Sequence, residues 1–214
     1  MDLLLDLFHR LRDLDALVAW AGMAGLAVII FTETGLFFGF FLPGDSLLVT
    51  AGLLSATPDS PVKFDIVVLG SLLSAAAILG DNTNYWVGRL TGPRVFRRDD
   101  SFFFKKKYVD EAHAFYEKWG PITVVLCRFM PIIRTFAPLV AGVAMMRYRV
   151  FLTYSIMGGL AWIWSMLLTG FLLGRYVPGV AQHVEKVIIL VVLISISPAI
   201  IGALKARRAA REQP

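Results

Sequence analysis

Cysteine and charged residues are both scarce in this sequence. The single cysteine, Cys127, cannot form an intramolecular bridge, which excludes a disulfide-stabilised secreted scaffold. Charged residues make up 17% of the 214 residues and hydrophobic residues 57%, whereas soluble proteins contain about 25% charged residues. This balance also excludes a disordered chain, which needs low hydrophobicity and high charge. The composition predicts an integral membrane protein.

Histidine is scarce as well, and this bears on the chemistry to expect. The three histidines, His9, His113 and His183, fall in predicted interfacial segments, where surface side chains are common. No cluster with metal-ligand spacing is present, so we expect no metal and no cofactor. The net charge of +5 is not accompanied by any nucleic-acid-binding signature. Basic residues beside apolar runs instead indicate membrane topology and contacts with lipid headgroups.

The apolar runs have two different lengths. Crossing a bilayer takes about 20 residues of helix. Four runs are long enough or nearly so: Ala16–Thr32, Ile66–Gly88, Phe151–Gly174 and Val187–Leu204. Four shorter runs flank breaks at Pro43-Gly44 and Pro131: Thr34–Gly44, Ser46–Pro58, Trp119–Cys127 and Thr135–Met146. Short broken runs predict re-entrant hairpins, which membranes tolerate where protein or water covers them.

The two broken regions resemble each other. FLPGDSLLVTAGLLSA (41–56) aligns with FMPIIRTFAPLVAGVA (129–144), and each is followed by a span that ends in Gly-Arg, at Gly88 and at Gly174. The offsets are 88 residues at the prolines, 90 at the Ala-Gly pairs and 86 at the Gly-Arg pairs. A hairpin plus one span crosses the membrane an odd number of times, so the pattern predicts two inverted repeats, as in many transporters.

These segments predict an all-α membrane protein with a single membrane domain. Sixteen basic residues fall on one predicted face and three on the other, so the positive-inside rule predicts a cytoplasmic C-terminus. The predicted order is an interfacial amphipathic helix (1–15), a first span (16–32), repeat one (33–92), an amphipathic cytoplasmic linker (93–118), repeat two (119–179), a last span (184–204) and a basic tail (205–214).

Five charged residues lie where a bilayer should exclude them: Glu33, Asp45, Asp81, Arg128 and Arg134. Each costs about 2.5–3.5 kcal/mol at the membrane centre, so they must pair or line a wet cavity. They could simply hold the hairpins together. In a functional interpretation, the two arginines suit a phosphate oxyanion, and the buried carboxylates can exchange protons. The stripe Asp81, Asn82, Asn84 and Tyr85 is expected to support the site through hydrogen bonds between helices.

Four motifs in order resemble the bacterial DedA family, within the wider superfamily of SNARE-associated or VTT-domain proteins. The resemblance covers about residues 16–175 and implies a bacterial inner-membrane protein with two re-entrant hairpins. The family's essential acidic pair corresponds to Glu33 and Asp45, and its essential arginine pair to Arg128 and Arg134. The motifs are Glu33-Thr-Gly35, Phe41-Leu-Pro-Gly-Asp-Ser46, Gly80-Asp-Asn-Thr-Asn-Tyr85 with Gly88-Arg89, and RFMPIIRTFAPLVAG from Arg128 to Gly142.

The resemblance also implies a cargo and a driving force. We expect a non-enzymatic lipid transporter that returns undecaprenyl phosphate or a related anionic lipid across the membrane, coupled to protons. Arg128 and Arg134 would bind the lipid phosphate, and Glu33 and Asp45 would carry protons. The alternatives are a proton-coupled small-cation antiporter, a phospholipid scramblase and, less in keeping with the histidine positions, an enzyme acting on lipid phosphates. The partners expected are lipid and protons, and the sequence leaves a homo-oligomer open.

Overall fold

The described part of the chain is helical, with no strand in it. The computed structural model describes residues 14–36, 44–57, 64–95 and 120–177. The expected all-α class is confirmed within these ranges. They contain the helices α1 (Leu14–Gly35), α2 (Gly44–Ala56), α3 (Ile66–Val95), α4 (Ile122–Cys127), α5 (Pro131–Val143) and α6 (Tyr148–Tyr176).

Two of these helices are long and apolar enough to cross a membrane. The qualifying stretches are Ile66–Gly92 of α3, with 27 residues, and Tyr148–Tyr176, with 29. At 1.5 Å per residue both exceed the hydrocarbon thickness of about 30 Å. Each contains the run predicted to span, Ile66–Gly88 or Phe151–Gly174. Asp65 caps the start of α3, where its Oδ1 accepts the backbone N–H groups of Val67 at 2.8 Å and Val68 at 3.0 Å.

The first predicted span is helical but interrupted. Gly22 has φ 59° and ψ −170°, a conformation outside the helical region that a glycine adopts without steric cost. The apolar helix after this interruption, Ala21–Gly35, is shorter than a membrane-crossing helix. At its other end, α1 continues to Gly35, three residues beyond the predicted end of the span at residue 32. The predicted span 184–204 and tail 205–214 lie outside the described residues, as do most of the amphipathic segments 1–15 and 93–118.

The two 13-residue helices, α2 and α5, each pack along the long helix of the other half of the chain. The contacts between α2 and α6 give their relative direction. Gly170 lies against Val49 and Gly174 lies against Leu53, so residue numbers increase in the same direction along both helices. The glycines bring the two backbones so close together that a side chain at Gly170 would overlap the Val49 carbonyl. The short helix α2 and the long helix α6 therefore run parallel.

The same arrangement joins α5 to α3. Gly88 lies against the backbone of Leu139, and Gly92 lies against Val143, so these helices also run parallel. By these contacts, Gly88 has the same packing position in α3 as Gly170 has in α6, because each lies against the backbone of a short helix. The Gly-Arg pairs in the sequence align Gly88 with Gly174 instead, which lies one helical turn further along α6.

The long helices α3 and α6 run in opposite directions. The ring of Tyr85 stacks on Phe151 with 4.4 Å between centroids, while Gly70 lies under the ring of Trp164. Between these two contacts the residue number decreases in α3, from 85 to 70, and increases in α6, from 151 to 164. The two pairs of one short and one long helix are therefore oppositely oriented.

The described residues combine an apolar core with an apolar outer surface and a set of buried polar groups. Large apolar side chains on α3 and α6 face outward, such as Leu79 at 60% exposure and Met157 at 52%. Buried charges are rare in soluble proteins unless paired, yet this interior contains many polar and charged groups. They are Glu33, Thr34, Asp45, Ser46, Thr50, Ser74, Asp81, Asn84, Thr123, Arg128, Arg134, Thr135 and Ser155. This distribution is typical of a protein whose outer surface contacts lipid.

Candidate functional site

Charges from both chain breaks converge at the centre of the molecule. Glu33 lies in the last turn of α1, and Asp45 lies in the first turn of α2. Arg128 follows the last residue of α4, and Arg134 lies in the first turn of α5. All four residues are at most 9% exposed. The first break thus supplies carboxylates and the second supplies guanidinium groups.

Arg134 joins the two halves of the site. Its Nη1 donates to Asp45 Oδ1 at 2.5 Å, and its Nη2 donates to Glu33 Oε1. One forked guanidinium therefore holds both carboxylates of the first break. The second break presents this arginine through a regular helix start, in which Pro131 occupies the first helical position and Met130 is extended.

Gly44 makes room for the Glu33 carboxylate. A Cβ atom at residue 44 would overlap the carboxylate of Glu33, so a larger residue there requires this carboxylate to move. The predicted break at Gly44 is thus also a packing position in the site. Its neighbour Pro43 lies outside the described residues.

Arg128 has a separate counter-ion. Its Nη2 forms an ion pair with Asp81 Oδ2 on α3, and the same oxygen accepts a hydrogen bond from Ser155 of α6 at 2.5 Å. The backbone of Gly158 lies close to the Arg128 side chain, where a Cβ would come within 3.1 Å of its Cγ. The sequence predicts for Asp81 either a supporting role or pairing with an arginine, and the structure shows the pairing, with Arg128.

Trp162 lies between the two arginines and is not among the predicted site residues. Its indole N–H donates to Asp45 Oδ1 at 2.8 Å. The Cζ atom of Arg134 lies 4.6 Å from its ring centroid and that of Arg128 lies 5.8 Å away, both within cation–π range. One signal could have indicated it: tryptophan usually marks the ends of a span, whereas Trp162 lies near the middle of α6.

The predicted supporting residues hold the helices together around these charges. Asn84 donates from Nδ2 to the backbone oxygens of Thr135 at 2.6 Å and Thr34 at 3.3 Å, linking both breaks to α3. Asn82 accepts from the Tyr148 hydroxyl at 2.9 Å.

Tyr85 links α3 to the start of the second long helix. Its hydroxyl donates to the Met146 carbonyl at 2.5 Å and accepts from Arg89 Nη1 at 2.7 Å. Tyr85 and Asp81 both face α6, as their spacing of four residues predicts.

The charges in the site do not balance. The three carboxylates of Glu33, Asp45 and Asp81 face only two guanidinium groups, so full ionisation leaves one negative charge in excess. Glu33 Oε2 and Arg134 Nε are buried and have no hydrogen-bond partner in the described structure. Within the described ranges, no three His, Cys, Asp or Glu side chains form a group that could hold a metal ion. An excess negative charge in a buried site suits uptake of a proton or another cation.

Comparison with known proteins identifies relatives over most of the chain. The VTT domain model matches residues 42–172. The chain is 40% identical to protein DedA of Escherichia coli (strain K12), across 98% of both proteins. It is 48% identical to an uncharacterized membrane protein of Mycobacterium tuberculosis (strain ATCC 25618 / H37Rv), across 91% of this chain and 84% of that protein. It is 33% identical to inner membrane protein YqjA of Escherichia coli (strain K12), across 70% and 66%. No solved structure matches the chain.

Proposed function

Since the chain belongs to the DedA family of VTT-domain membrane proteins, we propose that it carries an anionic lipid across the bacterial cytoplasmic membrane. The observation that carries this proposal is the meeting of four charged side chains from two chain breaks in one buried site. The cargo is undecaprenyl phosphate or a related lipid with a phosphate headgroup. Transport is coupled to protons and involves no chemical change in the lipid.

The packing of the helices supports two inverted, re-entrant repeats. The short helices α2 and α5 have 13 residues each, or about 20 Å of helix, which is less than the hydrocarbon thickness. The opposite orientation of α3 and α6 gives the two repeats opposite directions in the membrane. Breaks that meet at the interface between such repeats correspond to the central site of many transporters.

The arginines are the binding groups for the lipid phosphate. A planar guanidinium can donate two parallel hydrogen bonds to a phosphate as it does to a carboxylate. In the structure the carboxylates of Glu33 and Asp45 hold Arg134, and Asp81 holds Arg128. Protonation of a carboxylate weakens its hold on the arginine and frees donors for the headgroup. The lipid tail stays in the bilayer while the headgroup crosses.

The orientation follows from the position of the basic residues. Arg89 lies near the end of α3, where its Nη1 donates to the Met146 carbonyl at 3.3 Å. Arg147 and Arg149 lie at the adjoining start of α6 and are exposed. The positive-inside rule places this end, and with it the C-terminus, in the cytoplasm. A C-terminal reporter that is active only outside the cytoplasm would be silent in this orientation, and an active one would contradict it.

Reconstituted transport tests the function directly. Proteoliposomes would receive labelled polyprenyl phosphate or a labelled glycerophospholipid, and headgroup translocation would be followed with and without a pH gradient. We expect faster translocation of polyprenyl phosphate and dependence on the gradient. Equal movement of both lipids without a gradient would indicate a scramblase, and no movement of either would contradict lipid transport.

The excess carboxylate favours one alternative, a proton-coupled antiporter of small cations. A site with one unbalanced negative charge could hold a monovalent cation in place of a proton. The same proteoliposomes, loaded with a cation-sensitive dye, distinguish the two functions. Cation flux driven by the pH gradient without lipid translocation would replace the lipid transporter with this antiporter.

A further inference from the structure

The two carboxylates that share Arg134 have different surroundings. Asp45 Oδ1 accepts two hydrogen bonds, one from Arg134 Nη1 at 2.5 Å and one from the Trp162 indole at 2.8 Å. Glu33 Oε1 accepts from Arg134 Nη2, whereas Glu33 Oε2 is buried against Gly44 with no hydrogen-bond partner in the described residues. Hydrogen bonds to a carboxylate favour its ionised form. The ionised form of Asp45 is therefore better satisfied than that of Glu33.

The additional hydrogen bond that Asp45 accepts comes from Trp162. Its indole N–H is a donor only, so it can stabilise an ionised carboxylate but cannot accept a proton from a neutral one. Its ring also lies 4.6 Å from Arg134 Cζ, which holds the guanidinium between the ring and Asp45. Trp162 is fully buried on α6, whereas Glu33 belongs to α1 and makes no hydrogen bond with it among those described.

We infer that Trp162 is a positioning residue that separates the roles of the two carboxylates. It holds Asp45 as the permanent counter-ion of Arg134 and leaves Glu33 to take up the coupling proton. This inference rests on the proposed proton-coupled function and assigns its proton to one atom, Glu33 Oε2. The proton then occupies the buried oxygen that no donor reaches.

The surrounding charges are consistent with uptake of a single proton. Glu33 is under the influence of Arg134 from α5, Asp45 from α2 and Arg128 from the turn after α4. Asp81 of α3 also has one buried oxygen without a hydrogen-bond partner, Oδ1, but its Oδ2 is held by both Arg128 and Ser155. One proton on Glu33 removes the excess negative charge of the five-residue group. It also weakens the hold of Glu33 on Nη2 of Arg134, while Nη1 stays on Asp45, so Nη2 and the unpartnered Nε can turn to a headgroup phosphate.

Infrared spectroscopy of the full chain in lipid nanodiscs tests this assignment without any transport assay. A protonated carboxylic acid has a carbonyl stretch that its carboxylate lacks, so the spectrum is followed during a pH titration. The wild-type protein should show one such buried band, which should shift in frequency when the glutamate carboxyls are 13C-labelled, should not shift when the aspartate carboxyls are, and should be lost in E33Q. W162F keeps an aromatic ring but loses the donor, so a second band, from Asp45, should appear. W164F is the matched control, because Trp164 lies on the same helix but packs against Gly70.

The outcomes separate this inference from the proposed function. A band that shifts with aspartate labelling or persists in E33Q would overturn the assignment, and so would a W162F titration identical to that of the wild type. If W162F does not fold, the labelling of the wild-type protein still decides which carboxylate is protonated. The expected infrared result in a protein that moves no lipid would retain the proton site and reject the proposed lipid transport.

Discussion

The carboxylate of Glu33 fills the space in which a side chain at Gly44 would begin. These residues lie on either side of the first chain break, and their contact fixes where α2 starts relative to the end of α1. Because Glu33 also holds Arg134, the same contact sets the position of the second break. The geometry of the whole charged site therefore depends on a residue that has no side chain.

Replacing Gly44 with alanine should displace the Glu33 carboxylate from Arg134. Overpacking of a filled interior typically costs about 1–3 kcal/mol, so we expect a lower unfolding temperature and at least a tenfold loss of headgroup translocation. Gly170→Ala is the control, because it overpacks α2 against α6 at a contact with no charged group. Equal transport losses in two variants of equal stability would show that the Glu33 contact has no special role.

Arg134→Lys should nearly abolish translocation in proteoliposomes. Lysine retains the charge but cannot donate in parallel to Glu33 and Asp45, and a point charge binds phosphate with less geometric specificity. We expect a loss of more than tenfold, equivalent to about 1.4 kcal/mol or more. Arg149→Lys, a change at an exposed residue, should transport at the wild-type rate. Wild-type transport by Arg134→Lys would rule out the forked interaction as the binding mode.

Asp81→Asn should be among the most destabilising single changes in this protein. It leaves Arg128 buried without its counter-ion, and breaking a buried pair costs about 3–5 kcal/mol. Arg128→Met combined with Asp81→Leu removes both charges and should regain most of the stability, measured by unfolding in detergent micelles. The double variant should nevertheless fail to transport lipid, because it lacks one phosphate-binding arginine. A double variant as unstable as Asp81→Asn would contradict this account of the pair.

Asp65→Ala should affect stability without affecting transport. The Asp65 side chain caps the first turn of α3 through Val67 and Val68, and loss of such a cap costs about 1 kcal/mol. The change should lower the unfolding temperature by a few degrees while the translocation rate per folded molecule stays constant. Asp65→Asn should retain the cap and the wild-type unfolding temperature. A transport defect in Asp65→Ala at full stability would extend the functional site to this end of α3.

The sequence predicts the charged site well because burying a charge in a membrane is costly. That cost singles out five residues without any knowledge of the fold, and the structure pairs all five: Glu33, Asp45, Asp81, Arg128 and Arg134. It does not predict which acid holds which arginine. The pairing of Asp81 with Arg128 depends on how α3 packs against the turn after α4, which no local pattern encodes.

Other features could not be predicted for similar reasons. Trp162 is an apolar residue in an apolar helix, and its position near the middle of α6 is its one sequence signal. Its hydrogen bond to Asp45 and its contacts with the two arginines are visible only in the structure. The interruption of α1 at Gly22 depends on a positive φ, whereas Gly25, three residues later, remains helical. The long helices were predictable because length and apolar composition determine them directly.

Because α2 packs against α6 and α5 packs against α3, neither half of the chain contains all of its own packing partners. Synthesis produces α2 long before α6, the helix against which Gly52 and Val49 pack. The carboxylates of Glu33 and Asp45 likewise precede Arg134 in the growing chain. The first half therefore lacks the packing partner of α2 and the counter-ion of both acids until the second half has been synthesised.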